Sequence, residues 1–160
     1  MATKIPRQAA TGMKAAAATA LYLSGYYLWY ADVPRDKLPT LLLLAAVTVI
    51  PLVLAIACAT GTACALLAAW IVTRMKLPSL MFPLLLALLG TAAALLWMAR
   101  ASFDLGGIRD FTTGLWPLTL WIFVPSLIAS LWFSSRALSI PIFDSSRWRQ
   151  PLDEDAWSRT

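Results

Sequence analysis

Histidine and asparagine are missing from this 160-residue chain, and glutamine occurs only at Gln8 and Gln150. Without histidine there is no haem imidazole ligand, no His-based catalytic dyad or triad, and no HExxH metalloprotease site. Charge is also scarce: 13% of residues are charged and 60% apolar, with a mean hydropathy of +0.72. A soluble domain carries about 25% charge and is roughly half apolar, so this composition is that of an integral membrane protein. Ala15–Ala31, Thr40–Thr73, Leu77–Ala99 and Phe111–Ser135 contain no Asp, Glu, Lys or Arg at all. Proton relays, ion pathways and voltage sensors within membranes rest on such groups. An enzyme inside the bilayer would have only unaided Ser, Thr, Tyr or Cys, so the sequence predicts a non-catalytic protein with no cofactor and no metal.

What is present is four long uncharged blocks. Each approaches or exceeds the ~20 residues that cross a hydrocarbon core of about 30 Å as a helix, and ten-residue alternating strands of the barrel type are absent. Thr40–Thr73 is 34 residues long, about 51 Å as one helix at 1.5 Å per residue. Dividing it near Thr60-Gly61-Thr62 gives two short spans, and the basic residues decide against that. With four spans and the N-terminus inside, nine basic residues are cytoplasmic (Lys4, Arg7, Lys14, Arg74, Lys76, Arg136, Arg147, Arg149, Arg159) and four are outside (Arg35, Lys37, Arg100, Arg109). Division leaves five inside and eight outside, against the cytoplasmic preference of Lys and Arg.

The prediction is therefore an all-α membrane protein with four transmembrane helices and a cytoplasmic N-terminus and C-terminus. The spans are about 15–31, 40–73, 78–99 and 112–133, between a cytoplasmic segment 1–14 and a cytoplasmic tail 134–160. The long second helix is expected to kink at Pro51, where the missing N–H and the ring interrupt the preceding turn. Pro83, Pro117 and Pro125 also fall within spans. The basic leader and first apolar run outline a secretory signal, but the run ends in bulky YYLWYADV and reads as an uncleaved first span.

Trp and Tyr prefer membrane interfaces. Trp29, Tyr30, Trp97 and Trp116 are expected at the outer interface and Trp70 and Trp132 at the inner one. Trp121 lies deeper and reads as a packing residue.

The stretch IACATGTACAL holds the only two cysteines. Cys58 and Cys64 are six helical positions apart, which points them to faces about 120° apart and separates them by about 9 Å along the axis, so they do not pair. No third Cys and no His completes a zinc site. The small residues are more telling: Ala57, Gly61, Ala65 and Ala69 recur every four positions, a ridge that lets another helix backbone approach closely. Gly90 and Ala94 in the third span and Ala16, Ala20 and Ser24 in the first are candidate partners. Packing within the chain is favoured over packing on another subunit.

The outer loops carry Asp32, Asp36, Asp104 and Asp110, in a spacing that matches no calcium loop and with basic residues beside them, so a structural role is expected. In the tail, Arg147, Trp148 and Arg149 suit the headgroup layer of an anionic leaflet, and Asp153-Glu154-Asp155 would be repelled from it. The basic residues follow membrane topology and form no nucleic-acid patch. The Ala, Leu and Arg bias suggests a bacterial inner (cytoplasmic) membrane.

These features favour an accessory or scaffolding subunit of a bacterial inner-membrane complex, with membrane lipids and other integral membrane subunits or itself as partners. A small immunity or exclusion protein, and a carrier or channel component for lipid-like or neutral substrates, are the alternatives.

Overall fold

A computed structural model describes residues 6–30, 39, 45–104 and 108–152. It is helical over 85% of its residues, with no strand among those described. Four long helices, α1 (Arg7–Tyr30), α2 (Ile50–Arg74), α3 (Met81–Asp104) and α4 (Ile108–Leu138), are followed by a single turn, α5 (Ser145–Trp148). α1 packs most extensively on α2 and also on α4, while α3 packs on α4 and α2. Among the described residues, three segments, Val47–Arg74, Met81–Arg100 and Pro117–Leu138, are long and apolar enough to cross a membrane. α1 is as long as α3 and carries four tyrosines and two basic residues, Arg7 and Lys14.

The prolines divide into two kinds. Pro51 stands in the first turn of α2, directly after a π-helical turn, Ala45–Val49. The wide turn falls where the ring of Pro51 would meet the preceding carbonyls, and a π turn beside a proline is a recognised way to relieve that conflict. Pro83 stands in the first turn of α3, where a missing N–H forfeits no helical bond. Pro117 and Pro125 lie inside a helix, α4.

Two helix ends are closed by the same device. After α2, Leu77 N–H donates to Val72 O (2.9 Å) and Lys76 N–H to Thr73 O (3.2 Å), with Lys76 at φ 50°. After α4, Ile140 N–H donates to Ser135 O (2.9 Å) and Ser139 N–H to Arg136 O (3.4 Å), with Ser139 at φ 54°. Both are Schellman closures in which a non-glycine residue occupies the left-handed position. They reverse the chain at the same end of the bundle.

Candidate functional site: a backbone crossing and a docked tail

The ridge on α2 meets α1. Gly61 and Gly12 lie backbone to backbone: a Cβ on Gly61 would strike Ala16 Cβ and stand 2.5 Å from the Gly12 carbonyl oxygen. A Cβ on Gly12 would strike the Gly61 carbonyl oxygen and Ala65 Cβ. Ala65 and Ala69 are buried with Ala15, Ala68 and Val72 in the main apolar cluster. Ala57, one turn before Gly61, is only half-buried. Threonine hydroxyls near the crossing are satisfied on their own helices, Thr11 Oγ1 donating to Arg7 O and Thr62 Oγ1 to Cys58 O, each at 2.8 Å. Bonded this way, threonine behaves as a small residue in an apolar setting. Cys58 and Cys64 are free and half-buried, with Cys58 Sγ 4.0 Å from Met13 O.

Gly12 is the residue that sequence reasoning missed. The first span was expected from residue 15, whereas α1 begins at Arg7, straight after Pro6, whose carbonyl accepts from Ala10 N–H at 3.0 Å. Lys14 defined the expected boundary, yet a long side chain with a charged tip stays wet from inside a helix. The small-residue spacing Gly12–Ala16–Ala20 was the available signal.

The third-span residues face elsewhere. Gly90 is opposite Ser126 of α4, with Ser126 Oγ 3.5 Å from the position of an added Cβ, and Ala94 is half-buried. Ser126, Ser130 and Ser134 form a second ridge at four-residue spacing, all buried. The small-residue ridges expected from sequence lay in the first three spans and did not include this one. The Ser130 and Ser134 hydroxyls are buried without a hydrogen-bond partner.

The tail corrects another expectation. Arg147 and Arg149 are exposed, but Trp148 is 3% exposed and folds back onto the protein. Asp144 caps α5, accepting from Ser146 Oγ (2.6 Å) and from Arg147 N–H (3.4 Å). This turn swings Trp148 inward, where its Nε1–H donates to Pro141 O at 3.0 Å. The tail then lies along the turn between α2 and α3. Ser79 N–H donates to Gln150 O (2.8 Å), Leu80 N–H to Trp148 O (3.1 Å) and Leu152 N–H to Leu77 O (3.2 Å). Ser79 Oγ also reaches the Arg147 and Trp148 carbonyls, each at 3.1 Å. Leu152 enters the main cluster beside Val72 and Phe82. Phe143 in the tail is 98% exposed. Hydrogen bonds from Ser146 and Arg147 hold the Asp144 carboxyl below its usual range.

Of the expected interface anchors, Trp70, Trp97 and Trp132 are exposed on the helix surfaces, and the Arg136 guanidinium lies 4.8 Å from the Trp132 ring centroid. Trp121, expected to be packed inside, is 46% exposed and stacks on Tyr26 at 4.5 Å. The side chains of Trp29, Tyr30, Trp116, Asp104 and Asp110 lie outside the described set, as do Asp32, Asp36 and the acidic run 153–155.

Among the described residues the geometry is all-helical, with three helices fit to cross a membrane and a small-residue interior. Comparison with protein-family models, curated proteins and solved structures finds no match.

Proposed function

We propose that the chain is a non-catalytic accessory subunit of a bacterial inner-membrane complex, with four spans, both termini cytoplasmic and a second helix kinked at Pro51. One observation carries this reading. The small-residue ridges are used within the chain, while residues 50–60 of α2 and 92–100 of α3 contribute no buried side chain. There Leu52 and Val53 on α2 and Leu96 and Trp97 on α3 point outward, leaving a surface that a neighbouring membrane subunit would cover. The lack of ionisable residues in the uncharged blocks supports a structural role over transport of protons or ions. The buried serines Ser126, Ser130 and Ser134 are packed between helices, which gives the carrier reading little support.

The test is native mass spectrometry of the tagged full-length protein extracted in mild detergent. The expected result is a defined hetero-oligomer whose contacts, mapped by photo-crosslinkers at Leu52 and Leu96, fall on that surface. Only monomer, with no copurifying protein and no crosslink, overturns the proposal.

A further inference from the structure

Where α1 begins and α4 finishes, the surface opens into a recess of about 400 Å³. Arg7, Thr11 and Lys14 form one wall, and Phe133, Arg136 and Ser139 the other. Three of these six are basic, and no lining residue among those described is acidic. The wall from α1 is its first two turns, where the positive end of the helix dipole adds to the field. The carboxylate of Asp144 is taken up within its own turn, 3.6 Å from Arg147.

A second recess, about 270 Å³, lies on the same α1–α4 seam and is apolar, lined by Tyr22, Leu120, Trp121, Val124 and Pro125. Eleven positions separate Thr11 from Tyr22 on α1, and eleven separate Arg136 from Pro125 on α4. Eleven helical residues make about three turns and 16 Å, so the two members of each pair share a face of their helix. A basic recess thus stands about 16 Å from an apolar crevice along one seam, close to the ~15 Å depth of one leaflet's hydrocarbon.

We propose that this seam binds an anionic phospholipid, with its phosphate held by Lys14 and Arg136 and one acyl chain running along the seam to Tyr22 and Trp121. Basic pockets between membrane helices hold phosphate headgroups by charge-assisted hydrogen bonds. A soluble phosphate ester shares the headgroup chemistry, but only a lipid occupies the crevice. The inference rests on membrane embedding and is independent of the accessory-subunit reading.

The experiment titrates delipidated full-length protein in detergent with dioleoylphosphatidylglycerol, dioleoylphosphatidylcholine or glycerol 3-phosphate, counting adducts by native mass spectrometry. Phosphatidylglycerol is expected to bind about tenfold more tightly than phosphatidylcholine, and the double variant Lys14→Gln/Arg136→Gln to lose about tenfold to thirtyfold of that affinity. The charge-conserving pair Lys14→Arg/Arg136→Lys retains binding, and Arg149→Gln, exposed and outside the recess, changes it by less than about twofold. Val124→Trp, filling the crevice, weakens phosphatidylglycerol binding. Four results overturn the proposal: equal affinity for the two lipids, a double variant that binds like the parent, an equal loss in Arg149→Gln, or displacement of the lipid by an equal concentration of glycerol 3-phosphate.

Discussion

The end of the bundle that holds Gly12, Gly61, Phe82 and Trp148 is built differently from the end that holds Gly25, Leu52 and Trp97. At the first, α1 and α2 touch through their backbones, Phe82 and Pro83 are fully buried and the tail closes over the α2–α3 turn. At the second, no described residue of α1 beyond Ala15, of α2 before Gly61 or of α3 beyond Thr91 is buried. Both ends are rich in leucine, so hydrophobicity does not separate them. In a bilayer, lipid tails are as apolar as leucine and helices gain little by hiding large side chains from them. Close packing follows the small residues, and the docked tail adds burial at that same end.

The contrast is sharpest for two tryptophans. Trp148→Ala is expected to cost about 3–5 kcal/mol, the range for deleting a buried aromatic, in detergent-titrated unfolding followed by circular dichroism. Trp97→Ala, at an exposed position, should cost less than about 1 kcal/mol in the same assay. Equal losses would mean that the tail dock contributes nothing special.

Glycines give the next largest difference. Gly61→Leu drives a side chain into Gly12 and Ala16 and should destabilise by about 2–3 kcal/mol. At Gly25, by contrast, an added Cβ meets nothing within 4 Å, so Gly25→Ala should stabilise by about 0.5–1 kcal/mol through helix propensity alone. A stable Gly61→Leu would show that α1 and α2 do not cross there.

Smaller gains are expected where the tight end carries unfavourable residues. Ser130→Ala removes a buried, unpaired hydroxyl and should raise stability by about 1 kcal/mol. Lys76→Gly and Ser139→Gly relieve left-handed backbone and should each add about 0.5–1 kcal/mol. Loss of stability in all three would contradict the described packing.

The smallest effect concerns pH. Because Asp144 is held below its usual carboxylate range in the folded tail, its contribution is fully present above the unfolded value of about 3.9 and is lost as pH falls through the lower folded value. Tryptophan fluorescence, taken as the difference from Trp148→Phe, should therefore change at acid pH in the parent and stay flat in Asp144→Ala. A change of equal size in both would remove Asp144 as the cap.

Much of the architecture was readable from residue pattern. Uncharged blocks with small residues every four positions imply helices that approach closely, and the ridge through Gly61 was visible as such. Its partner was visible only in part: Ala16, which a Cβ on Gly61 would strike, was among the expected partners, but Gly12 was not, because it lies beyond Lys14, and a local charge says nothing about where a helix begins when its side chain can reach water. The burial of Trp148 was equally hidden, since flanking arginines are what an interfacial tryptophan also has. Trp121 misled in the opposite direction: its depth in the span suggested packing, yet depth along a helix does not specify which side faces lipid.

Composition and charge placement were enough for the class, helices suited to a bilayer with little ionisable chemistry inside, because backbone amides in hydrocarbon must bond within their own segment. Folding in three dimensions alone settled that α1 meets α2 glycine to glycine, that α3 turns its small face to α4, and that the tail returns to Ser79. Those outcomes depend on the point at which two backbones cross, and a crossing point is shared by two distant stretches of chain and encoded in neither.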